Sequence, residues 1–293
     1  MEYRKPHIMV IGDIMLDHYL VGSVNRLSPE APVPIVNVNR EYHRLGGCGN
    51  VVSNLTSIGC RCSCISSIGE DKNGELIEQV MESNGIHFLP VYNNGPTTTK
   101  TRIVEDQRHI QMLRYDLETI EERFIERIFN KIEWKFYDLI VVSDYNKGCI
   151  TPYVMKFLKS LHIPIIVDPK PRPESSELYK DVFLITPNEK EYREMDKIDC
   201  LYTLETLGSK GMVLMSNDSD FCPVHISCEP VEVYSVCGAG DTVVASIAAC
   251  ISNDIDIVTS AKIANKCAHY VVTKPDTVTL PKEIFEEAVE TFT

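Results

Sequence analysis

Val236-Cys237-Gly238-Ala239-Gly240-Asp241 runs directly into Thr242-Val243-Val244-Ala245-Ser246-Ile247-Ala248-Ala249-Cys250. Two glycines in a short turn, followed by an apolar and alanine-rich stretch, predict a loop that opens into a buried helix. The N–H groups that start a helix have no intrahelical acceptor, and the helix dipole adds partial positive charge there. Such a turn is an anion site. Glycine at 238 and 240 lets an anion approach the backbone and permits the φ values the turn needs. Asp241 is the odd residue in that setting. Taken alone it reads as a helix N-cap. Beside a transferring phosphoryl group it reads as the base that accepts the proton of an attacking hydroxyl.

Around this stretch the chain alternates apolar runs with amphipathic ones. Residues 8–11, 62–68, 139–142, 164–167, 182–185, 201–204 and 212–215 have the apolar, β-branched character of buried strands. Residues 51–58, 76–82, 120–132, 152–161, 242–251, 258–271 and 282–291 have helical spacing. Unalternating strands interleaved with helices predict a parallel sheet covered on both faces, an α/β fold. Ligands of such sheets bind beyond the carboxyl ends of the strands. Asp13, Asp144, Asp168, Asn188, Thr206 and Gly208 all fall there. Any one of them is explained by a turn or a cap; together with Gly238–Asp241 they point to a phosphate-handling site. Three prolines exclude a helix over 28–34, and the alternating runs 35–39, 96–104 and 109–116 predict a small second sheet without intervening helices. That sheet is expected to form a lid, over 14–44 and 96–117, within a single domain spanning 1–293.

A net charge of −13 disfavours a nucleic-acid or anionic-membrane surface, while a few basic residues can still converge on a small phosphorylated ligand. No apolar run approaches the ~18 residues of a membrane span, and residues 1–6 lack the pattern of a secretory leader. The eleven cysteines are expected to be reduced thiols in a cytoplasmic chain. Cys60, Cys62 and Cys64 share one strand face, but no second Cys or His pair stands at zinc-like spacing, so a metal there is disfavoured. Gly-x-Gly-x-x-Gly, Gly-x-x-x-x-Gly-Lys-Ser/Thr, His-Arg-Asp, Asp-Phe-Gly and Gly-x-Ser-x-Gly are all missing, which removes dinucleotide, P-loop, protein-kinase and nucleophile-elbow chemistries.

Gly46-Gly47 with Asn50, Thr186-Pro187-Asn188 with Glu191, Thr206-Leu207-Gly208 with Gly211, and Gly238-Ala239-Gly240-Asp241 together resemble the ribokinase-like (PfkB) sugar kinases over nearly the whole chain. Within that group the segments 12–17, 27–34, 143–148 and 168–170 are similar to the D-glycero-β-D-manno-heptose-7-phosphate kinases, which make the 1,7-bisphosphate on the route to ADP-heptose for lipopolysaccharide cores. The resemblance implies an ATP- and Mg²⁺-dependent kinase with Asp241 as base and the amides of Gly238, Ala239 and Gly240 as the hole for the transferring phosphoryl group. It further implies Asp13, Asp17, Gly46, Gly47, Asn50, Lys100, Arg102, Asp144 and Lys147 on the sugar phosphate. Lys170, Asn188, Glu191, Thr206, Gly208, Gly211 and Asn265 would lie on the nucleotide side, with Asn188 and Glu191 holding Mg²⁺ through water. A homodimer through the lid is implied as well.

Three departures stand out. Ser235 occupies the first Asp position of the DTxGAGD pattern, the stretch between Glu191 and Thr206 is short, and Lys274-Pro275-Asp276-Thr277 replaces a glycine near the adenine-side loop. The His-x-Gly-His of a fused nucleotidyltransferase is missing from this sequence, so a kinase alone is expected. Two alternatives remain: another PfkB-type sugar or nucleoside kinase, and a non-catalytic sugar-phosphate or nucleotide sensor.

Overall fold

A computed structural model of the chain describes residues 5–274 and 277–293. Residues 1–4, used above for the leader, and Pro275-Asp276 of the adenine-side departure lie outside the described residues. The elements run β1 (His7–Gly12), β2 (Ile14–Leu27), β3 (Pro34–Gly47), α1 (Cys48–Ser57), β4 (Arg61–Gly69), α2 (Lys72–Ser83), β5 (His87–Asn93), β6 (Thr99–Glu105) and β7 (Ile110–Leu117). Two 3₁₀ segments (Ile125–Lys131 and Trp134–Phe136) lead to β8 (Leu139–Ser143), α3 (Pro152–Ser160), β9 (Ile165–Asp168), α4 (Ser175–Leu178), β10 (Leu184–Ile185), α5 (Glu189–Glu194) and β11 (Tyr202–Thr206). The chain finishes with β12 (Met212–Ser216), β13 (Val224–Ile226), α6 (Ala239–Ile251), α7 (Ile257–Val272) and α8 (Lys282–Phe292).

Nine strands form one sheet in the order β13-β12-β11-β10-β9-β8-β1-β4-β5. Neighbours from β11 to β5 are all parallel, and near the other edge β12 pairs antiparallel to both β11 and β13. Successive strand side chains point to opposite faces. Accordingly Ile8, Val10, Leu139 and Val141 pack on the side of α1, α6 and α7, whereas Met9, Ile11, Ile140 and Val142 pack on the side of α3 and the 3₁₀ turns. This is the α/β architecture expected from the sequence, a mostly parallel sheet with helices on both faces. α6 is buried from Asp241 through Cys250, as a helix apolar on every side must be.

The second sheet has four strands in the order β3-β2-β6-β7. β2 was not among the expected strands, yet it is the central partner, paired antiparallel to β3 and parallel to β6. Its inward residues Met15, Asp17, Tyr19 and Val21 are buried.

The helix expected over 120–132 is a correction. Phe124 sits in the left-handed region (φ 46°) and only a 3₁₀ turn follows. Arg123 accounts for it: its amide donates to the Gly148 carbonyl, and its guanidinium donates to the Thr119 and Lys147 carbonyls. Those tertiary bonds draw the segment away from a helical path. The thiols of Cys60, Cys62 and Cys64 lie in the core; burial pushes Cys62 up to about 12, so it is a protonated core thiol. Among the described residues these cysteines form no metal cluster. No helix among the described residues is long and apolar enough to cross a membrane.

Candidate active site

The carboxyl edge of the large sheet meets the second sheet at Asp241. Gly238 caps α6 at φ 80°, and a side chain there would strike Asn50 Nδ2 at 2.7 Å, so glycine is required twice over. At Gly240 a methyl group would meet nothing within 4 Å: the space in front of the turn is open. Asp241 is the third residue of the helix, and Gly238 holds the cap position, which sets the N-cap reading aside. Its carboxylate accepts from Asn50 Nδ2 at 2.6 Å and from the Tyr145 hydroxyl at 3.1 Å. Burial pushes its pKa up to about 6, against the two hydrogen bonds, which favour the charged form.

Asn50 points at Asp241 because its own carbonyl oxygen accepts from Asn54 Nδ2 at 3.2 Å, and Asn54 Oδ1 in turn accepts from the Leu280 amide at 2.8 Å. Neither Asn54 nor Tyr145 was singled out from the sequence. The one signal for Asn54 was its spacing four residues after Asn50, one helical turn on. Gly46 and Gly47 give clearance: a side chain at Gly46 would meet Asp17 Oδ2 at 2.6 Å, and Gly47 (φ 59°) would meet the Asp13 carbonyl oxygen at 2.2 Å.

Other expected ligands are engaged within the protein. Asp13 accepts three backbone amides, those of Tyr145 at 2.9 Å, Lys147 at 3.0 Å and Cys149 at 3.1 Å. It holds the loop that carries Tyr145, so its place is under the site and not on a sugar. Asp144 is buried against the Arg172 guanidinium and the Tyr179 hydroxyl, and burial pushes it up to about 6 despite Arg172. Among the expected cations, Arg102 pairs with Asp17 at 2.5 Å, Lys147 with Glu118 at 2.7 Å and Lys170 with Glu191 at 3.1 Å. Lys100 differs: among the described residues it has no ion pair, and its ammonium lies 5.6 Å from the Tyr145 ring centre. Burial lowers its pKa, with Asp17 opposing.

On the other side of the edge, Asn188 and Glu191 form a capping box on α5, each side chain accepting the other's backbone amide. Asp168, noted only as an edge carboxylate, is pushed well above the usual range by burial, with Asp241 and Glu191 adding to it. A carboxylate facing two others is the donor chemistry of a hard divalent cation, and it suits Mg²⁺ held through water. Thr206 bridges to Asn188, and Gly208 (φ 58°) and Gly211 (φ 87°) shape the β11–β12 turn. Asn265 instead donates to the Ser227 carbonyl at 2.9 Å on the exposed side of α7. Between α5 and β11 no helix intervenes, as the short 192–205 stretch implied. The Ser235 hydroxyl accepts the Cys237 amide at 3.2 Å and organises the turn before Gly238.

A family model described as pfkB family carbohydrate kinase matches residues 5–199 and 203–283. The Bifunctional protein HldE of a Nitratiruptor species is 34% identical over 307 residues, covering 97% of this chain and 65% of that protein. The protein of the same name from Aliarcobacter butzleri is 37% identical over 314 residues, covering 97% and 64%. The chain thus spans just under two thirds of the length of these relatives. Among solved structures, Escherichia coli phosphofructokinase-2 in complex with substrates and products aligns with a TM-score of 0.77 at 15% identity over 98% of this chain and 99% of that one. Arabidopsis thaliana ribokinase complexed with ribose and ATP aligns with a TM-score of 0.74 at 17% identity over 98% and 99%. At those identities the likeness is one of fold.

Proposed function

Because this chain belongs to the pfkB family of carbohydrate kinases, we propose that it transfers the γ-phosphoryl group of ATP to the C1 hydroxyl of D-glycero-β-D-manno-heptose 7-phosphate, giving the 1,7-bisphosphate and ADP. The segments 12–17, 27–34, 143–148 and 168–170, similar to the heptose-7-phosphate kinases, support the choice of sugar, and the relatives named Bifunctional protein HldE match nearly the whole chain. What carries the reading is the Asp241 carboxylate, fixed by Asn50 and Tyr145 in the first turn of α6 beside the amides of Gly238 and Gly240, while the Ala239 amide also reaches the Val236 carbonyl at 3.4 Å.

Asp241 accepts the proton of the C1 hydroxyl as the oxygen attacks phosphorus, and a pKa near 6 suits that task at neutral pH. The amides of Gly238, Ala239 and Gly240 face the charge that develops on the transferring group. Asp17, Gly46, Gly47 and Asn50 line the sugar side, and Lys100 adds positive charge that acts on both Asp241 and Asp17. Asn188, Glu191 and Asp168 would hold Mg²⁺ through water, where it neutralises charge on the nucleotide phosphates. The four-stranded sheet acts as the lid over the sugar. Its outward residues Leu113, Tyr115 and Leu117, all about half exposed, support a homodimer through that face. The chain would work in the cytoplasm, on the way to ADP-heptose.

A second reading, a PfkB-type kinase for an unphosphorylated sugar or nucleoside, is favoured by one observation: Arg102, Lys147 and Lys170 are already paired with carboxylates. ADP release with heptose 7-phosphate, ribose and fructose separates the two. Turnover confined to the heptose phosphate supports the first reading, and turnover with ribose or fructose supports the second. Ligand-dependent thermal stabilisation with no ADP from any sugar contradicts both and leaves a sensor.

A further inference from the structure

The face of the second sheet turned away from Asp241 carries a cluster that the kinase reading does not use. Asp17 and Tyr19 point into the cleft, so the alternation of β2 sends His18 to the outer face. There His18 stands directly opposite His43 on β3, and Glu41 lies two residues along from His43 on the same face. The ligating atoms of His18, Glu41 and His43 all lie within 4.8 Å of one another. His18 Nε2 is 2.8 Å from Glu41 Oε1, and the two imidazoles stack at 4.5 Å and 11°.

We propose that His18, Glu41 and His43 form a transition-metal site of the Zn²⁺ class on the outer face of the second sheet. Two imidazoles and one carboxylate are a donor set that Zn²⁺ takes, with a fourth position left open to water. Ligands about 2 Å from a tetrahedral ion stand roughly 3.3 Å apart, so the site closes by small side-chain rotations on two strands already locked by backbone pairing. His18 is oriented for it, because Nδ1 lies 3.3 Å from Thr101 Oγ1 on β6. With Nε2 turned to a bound ion, the His18 ring would carry its proton on Nδ1, within reach of Thr101 Oγ1 as acceptor. All three ligands come from one chain, so the site is complete whether or not this face pairs with a second copy. Nothing in it rests on the choice of sugar.

The test is Zn²⁺ titration of the chelator-treated protein by calorimetry, alongside the absorption spectrum of the Co²⁺ form. One equivalent per chain is expected, with Co²⁺ d–d bands and no thiolate charge transfer. His18→Ala/His43→Ala should abolish that equivalent, and the exposed Glu41→Gln, which leaves the sheet's packing untouched, should weaken it by about tenfold or more. No saturable equivalent, binding unchanged in Glu41→Gln, or a thiolate band pointing to exposed Cys222 or Cys237 would overturn the site.

Discussion

Asp241 carries its charge where burial disfavours it, and that tension sets two linked expectations. With a pKa of about 6 in the folded chain, the carboxylate is protonated below that value. kcat/KM should therefore fall as pH drops through about 6, close to tenfold per unit. Stability moves the other way: a carboxyl whose folded pKa exceeds its unfolded one stabilises the fold below the unfolded value and loses that contribution as pH rises through the folded one. Asp241→Asn should then lower turnover by about 10²–10⁴-fold while melting at or above the parent temperature at pH 7. Tyr145→Phe removes a hydrogen bond that favours the charged form, so the acid limb of its pH profile should shift upward. An unchanged limb would show that the Tyr145 hydroxyl does not tune the base. Gly238→Ala puts a methyl group 2.7 Å from Asn50 Nδ2 at a positive φ, and should cost both activity and roughly 1–2 kcal/mol or more of stability, read by denaturant titration.

Two elements carry most of the site: the first turn of α6, and the loop after β8 that Asp13 pins by three amides. Hydrogen bonds to a charged group are worth about 1.5–3 kcal/mol each, so Asp13→Ala should destabilise by about 3 kcal/mol or more and free the Tyr145 loop. Hydrogen exchange at Tyr145–Cys149 reads that directly, and unchanged protection there would remove Asp13 from its positioning role. How far these elements were legible depends on what stabilises each. The runs 139–142 and 164–167 are apolar on both faces, and a strand buried on both faces announces itself in sequence. β2 does not, because its cleft face mixes Asp17 with Met15 and Tyr19 while its outer face carries His18. The 3₁₀ turn at Ile125–Lys131 was hidden because the apolar spacing favours an α-helix and only Arg123's contacts with residues 147 and 148 override it. At the site, glycine spacing exposed the α6 turn. Ion pairs such as Arg102–Asp17 join residues 85 positions apart and leave no local trace.

For the molecule as a whole, the parallel sheet supplies the edge and the second sheet supplies the wall opposite it. If that wall also pairs two copies, the protein should sediment at twice the 33.1 kDa chain mass. Leu113→Asp/Tyr115→Asp, on its exposed outer face, should return it to one chain; a parent that already sediments as a monomer would remove the dimer. The net charge of −13 leaves the site short of positive charge, and among the described residues Lys100 is the expected phosphate-binding cation that is in no ion pair. The most direct test is the ³¹P spectrum of a reaction containing the parent protein, ATP, Mg²⁺ and D-glycero-β-D-manno-heptose 7-phosphate, run beside Asp241→Asn. A new anomeric phosphate signal with stoichiometric ADP in the parent, and neither in a folded Asp241→Asn, is expected. An anomeric signal of equal size in both, or phosphate arriving at another hydroxyl, would contradict a base at position 241 acting on C1.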